Sequence, residues 1–102
     1  MTNKLNRTEV FASWLRDIRD TRAKARIFAR LDAARNGNFG DWRSVGEGVF
    51  EMRINAGAGY RVYYAREGIF VYILLAGGDK RTQDADIKSA KKMWRTIQED
   101  KK

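Results

Sequence analysis

Apolar residues recur along this chain with two different periods. Phe11, Trp14, Leu15 and Ile18 follow the three- and four-residue spacing of one helical face, while Arg16, Asp17 and Arg19 fall off it. Thr8 is a suitable N-cap for a helix starting at Glu9. In a second helix capped by Thr21, Ala23, Ile27, Leu31 and Ala34 form the buried stripe, with Lys24, Arg26, Arg30 and Arg35 mostly outside it. Asn36-Gly37 ends that helix. The two helices are separated by so few residues that they predict an antiparallel hairpin, whose apolar side must rest on another layer. Lys4 to Arg7, ahead of the first cap, predicts a short edge strand.

The period then changes. Residues 38–48 have no sustained pattern and read as an ordered loop with one short strand around Trp42 to Val45. From Val49 to Asn55, Phe50, Met52 and Ile54 alternate with Glu51, Arg53 and Asn55. From Tyr60 to Ala65, Tyr60, Val62 and Tyr64 alternate with Arg61, Tyr63 and Ala65. A three-residue connection, Ala56-Gly57-Ala58, sets Ile54 across from Tyr60 and Arg53 across from Arg61, so both apolar sets share one face. A four-residue loop would split them between faces, so the first register is preferred. Tyr60 to Arg66 therefore reads as a half-exposed strand, and Ile69 to Ala76, apolar on both faces, as a buried central one. Gly77-Gly78 would then hinge the chain into Asp79-Lys80-Arg81. A last amphipathic helix, with Thr82 or Asp84 as cap and Ile87, Ala90, Met93 or Trp94, and Ile97 along one side, reads as core packing; a membrane-surface helix is the alternative.

Composition narrows the chemistry. The chain has 102 residues, enough for one domain with its own core. It contains no cysteine and no histidine, which leaves lysine, arginine, tyrosine or carboxylates for any catalysis and predicts neither metal nor cofactor. No apolar run approaches the roughly 20 residues that span a bilayer, and the N-terminus has no signal-peptide pattern, so the expected location is the cytoplasm. The net charge of +8 favours an anionic partner, and its spread along the chain fits a folded cationic surface better than a basic tail. A soluble basic protein and a nucleic-acid binder both fit that charge.

Geometry favours the second. The preferred register makes Arg53 and Arg61 cross-strand neighbours on the open face of the sheet, a costly pairing unless an anion lies between them or both are fully solvated. Lys80 and Arg81, at the end of the following strand, would join them in a small phosphate-binding platform.

Five runs, FxxWLxxIxD at Phe11 to Asp20, KARIxxRL at Lys24 to Leu31, GNFGDWRSVGEGVFEMRI at Gly37 to Ile54, GxGYRVYY at Gly57 to Tyr64 and LLAGGDKxTQDxDI at Leu74 to Ile87, cover most of the chain. Together they resemble the RelE/ParE superfamily of type II toxins, in its HigB-type addiction module killer protein branch. The resemblance implies one α+β toxin domain over residues 1–102, with an N-terminal helix hairpin packed on a mainly antiparallel sheet of about four strands, and a C-terminal helix. It implies a toxin that is monomeric when free, neutralised by a cognate antitoxin with a DNA-binding helix-turn-helix, and acting with the ribosome as an mRNA endonuclease. Arg61 matches the family's strand arginine that binds the scissile phosphate. Arg53 lies where relatives carry lysine or arginine, and Lys80 and Arg81 lie in their basic strand-end region. Arg43 joins Arg81 and Tyr63 as an expected RNA contact.

Several relatives carry a tyrosine or histidine near the last helix, where this chain has Gln83, Asp84, Asp86 and Ile87, so the resemblance does not identify the acid and base. Cleavage by the RNA's own 2′-hydroxyl needs the phosphorane charge stabilised, a task suited to Arg61 and Arg53, with Lys80 as proton-transfer candidate and Glu51 as a weaker one. Tyr63 would either stack a base or cover the sheet's open side. Two alternatives share the fold: a ParE-like inhibitor of DNA gyrase that cuts nothing, and a non-toxic member that binds nucleic acid or antitoxin.

Overall fold

Alternation fixes the central hairpin of the fold. In the computed structural model, which describes residues 2–101, β3 (Val49–Ile54) pairs antiparallel with β4 (Tyr60–Arg66) in the preferred register, Ile54 opposite Tyr60 and Arg53 opposite Arg61. β5 (Val71–Gly78) continues the meander antiparallel to β4. Both short candidate segments also pair: β2 (Trp42–Gly46) runs antiparallel to β3, and β1 (Lys4–Arg7) runs parallel to β5. The result is an α+β fold with a five-stranded mixed sheet, ordered β1-β5-β4-β3-β2. β4, not the strand after it, is the central one.

The helix hairpin covers one face. α1 (Glu9–Asp17) is capped by Thr8, whose Oγ1 accepts from Phe11 N at 3.0 Å and donates to the Leu75 carbonyl at 2.6 Å. That second bond lands on a β-bulge, because Tyr63 pairs with Ala76 and Tyr64 with Leu74, leaving Leu75 as the extra residue. α2 (Thr21–Arg35) is capped by Asp20 and not by Thr21, since the Asp20 carboxylate accepts from Ala23 N at 3.1 Å. Phe11, Leu15, Ile27, Leu31 and Ala34 pack on Met52, Ile54, Val62, Tyr64 and Leu74.

The other face is not open. α3 (Gln83–Asp100), entered through a 3₁₀ turn at Lys80–Thr82, lays Ala90 and Trp94 on Val49, Tyr63, Ala65 and Leu75. β4 is therefore buried on both sides, and the half-exposed reading of it gives way to a three-layer arrangement. Two cores result, one on each side of the sheet.

The limits of β5 also differ from expectation. Ile69 and Phe70 belong to the turn before it, where Glu67 N and Gly68 N both donate to the Val71 carbonyl and the Arg66 guanidinium donates to the carbonyls of Gly68 and Ile69. Gly77 and Gly78 are strand residues paired with Val62 and Arg61, not a hinge. Their lack of a side chain serves packing: a Cβ on Gly77 would lie 2.2 Å from the Trp14 ring. Gly77→Ala is expected to destabilise the fold by about 1–3 kcal/mol in urea denaturation, and a Trp14→Leu background should relieve most of that loss. An unchanged midpoint for Gly77→Ala alone would show that α1 is not seated on the glycine.

Candidate functional site

Strand alternation puts Glu51, Arg53, Arg61 and Tyr63 on the α3 face, where α3 buries them to very different depths. Glu51 is fully enclosed, at 0% exposure. An ionised carboxylate in that position needs partners from every side. Arg43 Nε on β2 donates to Glu51 Oε1 at 2.9 Å, and Arg53 Nε donates to the same oxygen at 3.1 Å. Gln83 Nε2, at the start of α3, donates to Oε2 at 2.9 Å, and the Tyr63 hydroxyl donates to Oε2 at 3.2 Å. Arg61 Nε approaches Oε2 at 3.8 Å, an ion pair without a hydrogen bond.

Burial alone would push the Glu51 carboxyl up, but hydrogen bonds from Arg43, Gln83 and Arg53, with the charge of Arg43, outweigh it and hold the group down at about 2. The hydrogen bond to Glu51 correspondingly raises Arg43. Burial first, then the Glu51 charge and hydrogen bond, push the Tyr63 phenol well above its ordinary range, so it stays a neutral donor. One carboxylate faces three guanidinium groups, leaving the cluster with two net positive charges.

The like-charge pair of Arg53 and Arg61 thus has an internal anion, where the sequence suggested either an external one or full solvation. Arg53 and Arg43 remain half-exposed, whereas Arg61 is only 9% exposed. Arg61 Nη1 donates to the Gly59 carbonyl at 2.7 Å, and its buried Nε has no hydrogen-bond acceptor. Such an orphaned donor is costly unless a bound group satisfies it.

Arg61 opens onto a cleft of about 400 Å³ where the β3–β4 connection meets the 3₁₀ turn. Arg53, Arg61 and Lys80 line it together with Asp41 and the backbone of Gly57 to Gly59, three basic side chains against one acidic. Arg30 fixes one wall by donating to the carbonyls of Arg53 at 2.6 Å and Phe39 at 3.1 Å. Arg81 does not line the cleft; its guanidinium is exposed and paired with Asp79 at 2.9 Å. Tyr63 lies beneath α3 at 0% exposure and has no face free for a base, so of its two readings only the covering one fits. Glu51, held low and enclosed, serves the arginines as anchor and is poorly placed to take a proton.

The anchoring roles of two members of this constellation escape motif reading. Glu51 looked like a solvent-facing residue, yet its place two positions from Arg53 and opposite Tyr63 already puts it among the arginines. Gln83 lies 32 positions from Glu51 in sequence, and only the seating of α3 brings them together.

A family model described as phage derived protein Gp49-like (DUF891) matches residues 13–102. The chain is also 52% identical over 91 residues to an uncharacterized protein of Haemophilus influenzae, an alignment covering 89% of this chain and 92% of the relative. No solved structure matches it.

Because the folded-state carboxyl of Glu51 lies below its unfolded value of 4.5, its contribution to stability is complete above that value and is lost as pH falls towards about 2. Glu51→Gln should therefore be less stable at pH 7, by about 1–3 kcal/mol in thermal or urea unfolding, and should lose less of its remaining stability than the wild type over that acid window. Coincident pH–stability curves would mean that the carboxylate does not hold the array.

Proposed function

The chain belongs to the Gp49-like family of phage-derived proteins, a family associated with toxin–antitoxin modules, and on that premise we propose that it is the toxin of such a module and an RNA endonuclease of the HigB type within the RelE/ParE superfamily. The observation that carries this reading is the anchored arginine array beside a cationic cleft lined by Arg53, Arg61 and Lys80.

A phosphodiester seated in the cleft would place its non-bridging oxygens against Arg61 and Arg53. Guanidinium groups suit that role because their donors form a rigid fork and their charge persists at all physiological pH values. As the RNA 2′-oxygen bonds to phosphorus and the bond to the 5′-oxygen breaks, negative charge grows on the non-bridging oxygens, and a pre-set array stabilises it without reorganisation. The proton leaving the 2′-hydroxyl and the one reaching the 5′-oxygen need a carrier at the rim, where Lys80 stands. Arg43 supports the array through Glu51 and presents its exposed part to the RNA backbone. Arg81 offers a peripheral phosphate contact outside the cleft. Cleavage on the ribosome, with mRNA as substrate and the cytoplasm as site, completes the reading. Among the described residues no helix is long and apolar enough to cross a membrane.

Inducing the wild type and Arg61→Ala at equal levels and mapping mRNA 5′ ends tests the proposal. Codon-phased new ends with the wild type, reduced about a hundredfold or more in the variant while circular dichroism shows an intact fold, are expected. Wild-type toxicity from Arg61→Ala would remove the site assignment. Growth arrest with a DNA damage response and no new 5′ ends would replace RNA cleavage with gyrase inhibition.

A further inference from the structure

The helix hairpin does not cover its face of the sheet completely. Beyond its edge Phe39 stacks on Tyr64 at 5.1 Å and leans on Tyr72 at 4.8 Å, and these rings with Phe50 floor a second cleft of about 500 Å³. Three large apolar side chains lining it remain substantially exposed: Trp42 at 53%, Ile69 at 72% and Phe70 at 44%. Exposed apolar residues scattered singly need no explanation, but three around one aromatic-floored cleft mark an interaction surface.

Among the described residues, Arg66 is the one charged residue lining the cleft. Its guanidinium braces the turn carrying Ile69 through the carbonyls of Gly68 and Ile69, at 3.0 and 3.2 Å, and among the described residues no carboxylate lies within ion-pairing distance of it. An apolar hollow with one uncompensated cation at its edge suits an amphipathic peptide segment with an acidic residue beside its apolar ones. A single positive charge and an aliphatic rim suit RNA less well, since the phosphate-binding groups gather at the other cleft. A second copy of the chain would bring its own Arg66 and another +8 of net charge to the contact.

The geometry points to this aromatic cleft as the docking site for the antitoxin, through an amphipathic segment whose apolar side chains fill the hollow and whose carboxylate pairs with Arg66; this rests on the module reading above. The array arginines Arg43, Arg53 and Arg61 lie on the opposite face of the sheet. The cleft is thus a handle for the partner that is separate from the phosphate site.

The test uses the protein encoded beside this chain as probe, co-expressed and purified with it, and measures affinity by calorimetry. Ile69→Asp and Trp42→Ser alter exposed positions and should each weaken the complex about tenfold or more, while Val10→Asp, an equally exposed apolar position on α1, should bind as the wild type does. Unchanged affinity for both cleft variants would overturn the assignment and leave the module reading standing. No complex with the wild type would overturn the assignment and the module reading together, while the 5′-end maps judge RNA cleavage independently. A concentration-dependent homodimer abolished by Ile69→Asp would give the cleft to a second copy instead, and loss of oligoribonucleotide binding in Trp42→Ser without loss of the protein complex would give it to RNA.

Discussion

A buried carboxylate governs how this sheet can be assembled. Glu51 has no access to water, so its charge is tolerable only when the chain itself supplies the donors. Those donors come from β2, β3, β4 and the first residue of α3. Each of these elements must reach its place for the network to close, which couples strand pairing on one side of the molecule to helix docking on the other. Aligning Arg43, Arg53 and Arg61 around one anion also settles most of their side-chain freedom before any ligand arrives. An anion entering the cleft would then meet donors already held in place.

Much of this was readable from alternation and spacing. The Arg53–Arg61 pairing followed from requiring Phe50, Met52, Ile54 and Tyr60, Val62, Tyr64 to share a face, and the structure has that register. The error concerned the opposite face. Glu51, Arg53, Arg61 and Tyr63 carry the polar signature of a solvated surface, and a self-neutralising buried network has the same alternation. The amphipathic last helix held the missing clue: with one sheet face already claimed by the hairpin, Ala90 and Trp94 had only the other to pack against. Likewise the apolar run from Ile69 to Ala76 suggested a strand two residues too early. Hydropathy could not show that Arg66 ties Gly68 and Ile69 into a turn, or that Gly77 stays in the ladder to seat Trp14.

The two faces of the sheet consequently do different work. On the hairpin side α1 and α2 give an apolar core that stops short of Phe50, Tyr64 and Tyr72, leaving an aromatic hollow at the surface. On the α3 side the apolar core around Val49, Leu75 and Trp94 gives way to charge towards the β3–β4 connection. A five-stranded sheet backed by a helix hairpin on one side and a single helix on the other leaves room at its margins, and both clefts occupy that room.

The protonation states of the network add a constraint on any chemistry at the arginine cleft. Glu51 is held far below neutrality and Tyr63 is pushed far above it. Neither group therefore changes charge near pH 7, and the internal anion that Arg43, Arg53 and Arg61 surround persists across the physiological range. A pH dependence near neutrality in anything that binds at this cleft would therefore not originate in Glu51 or Tyr63.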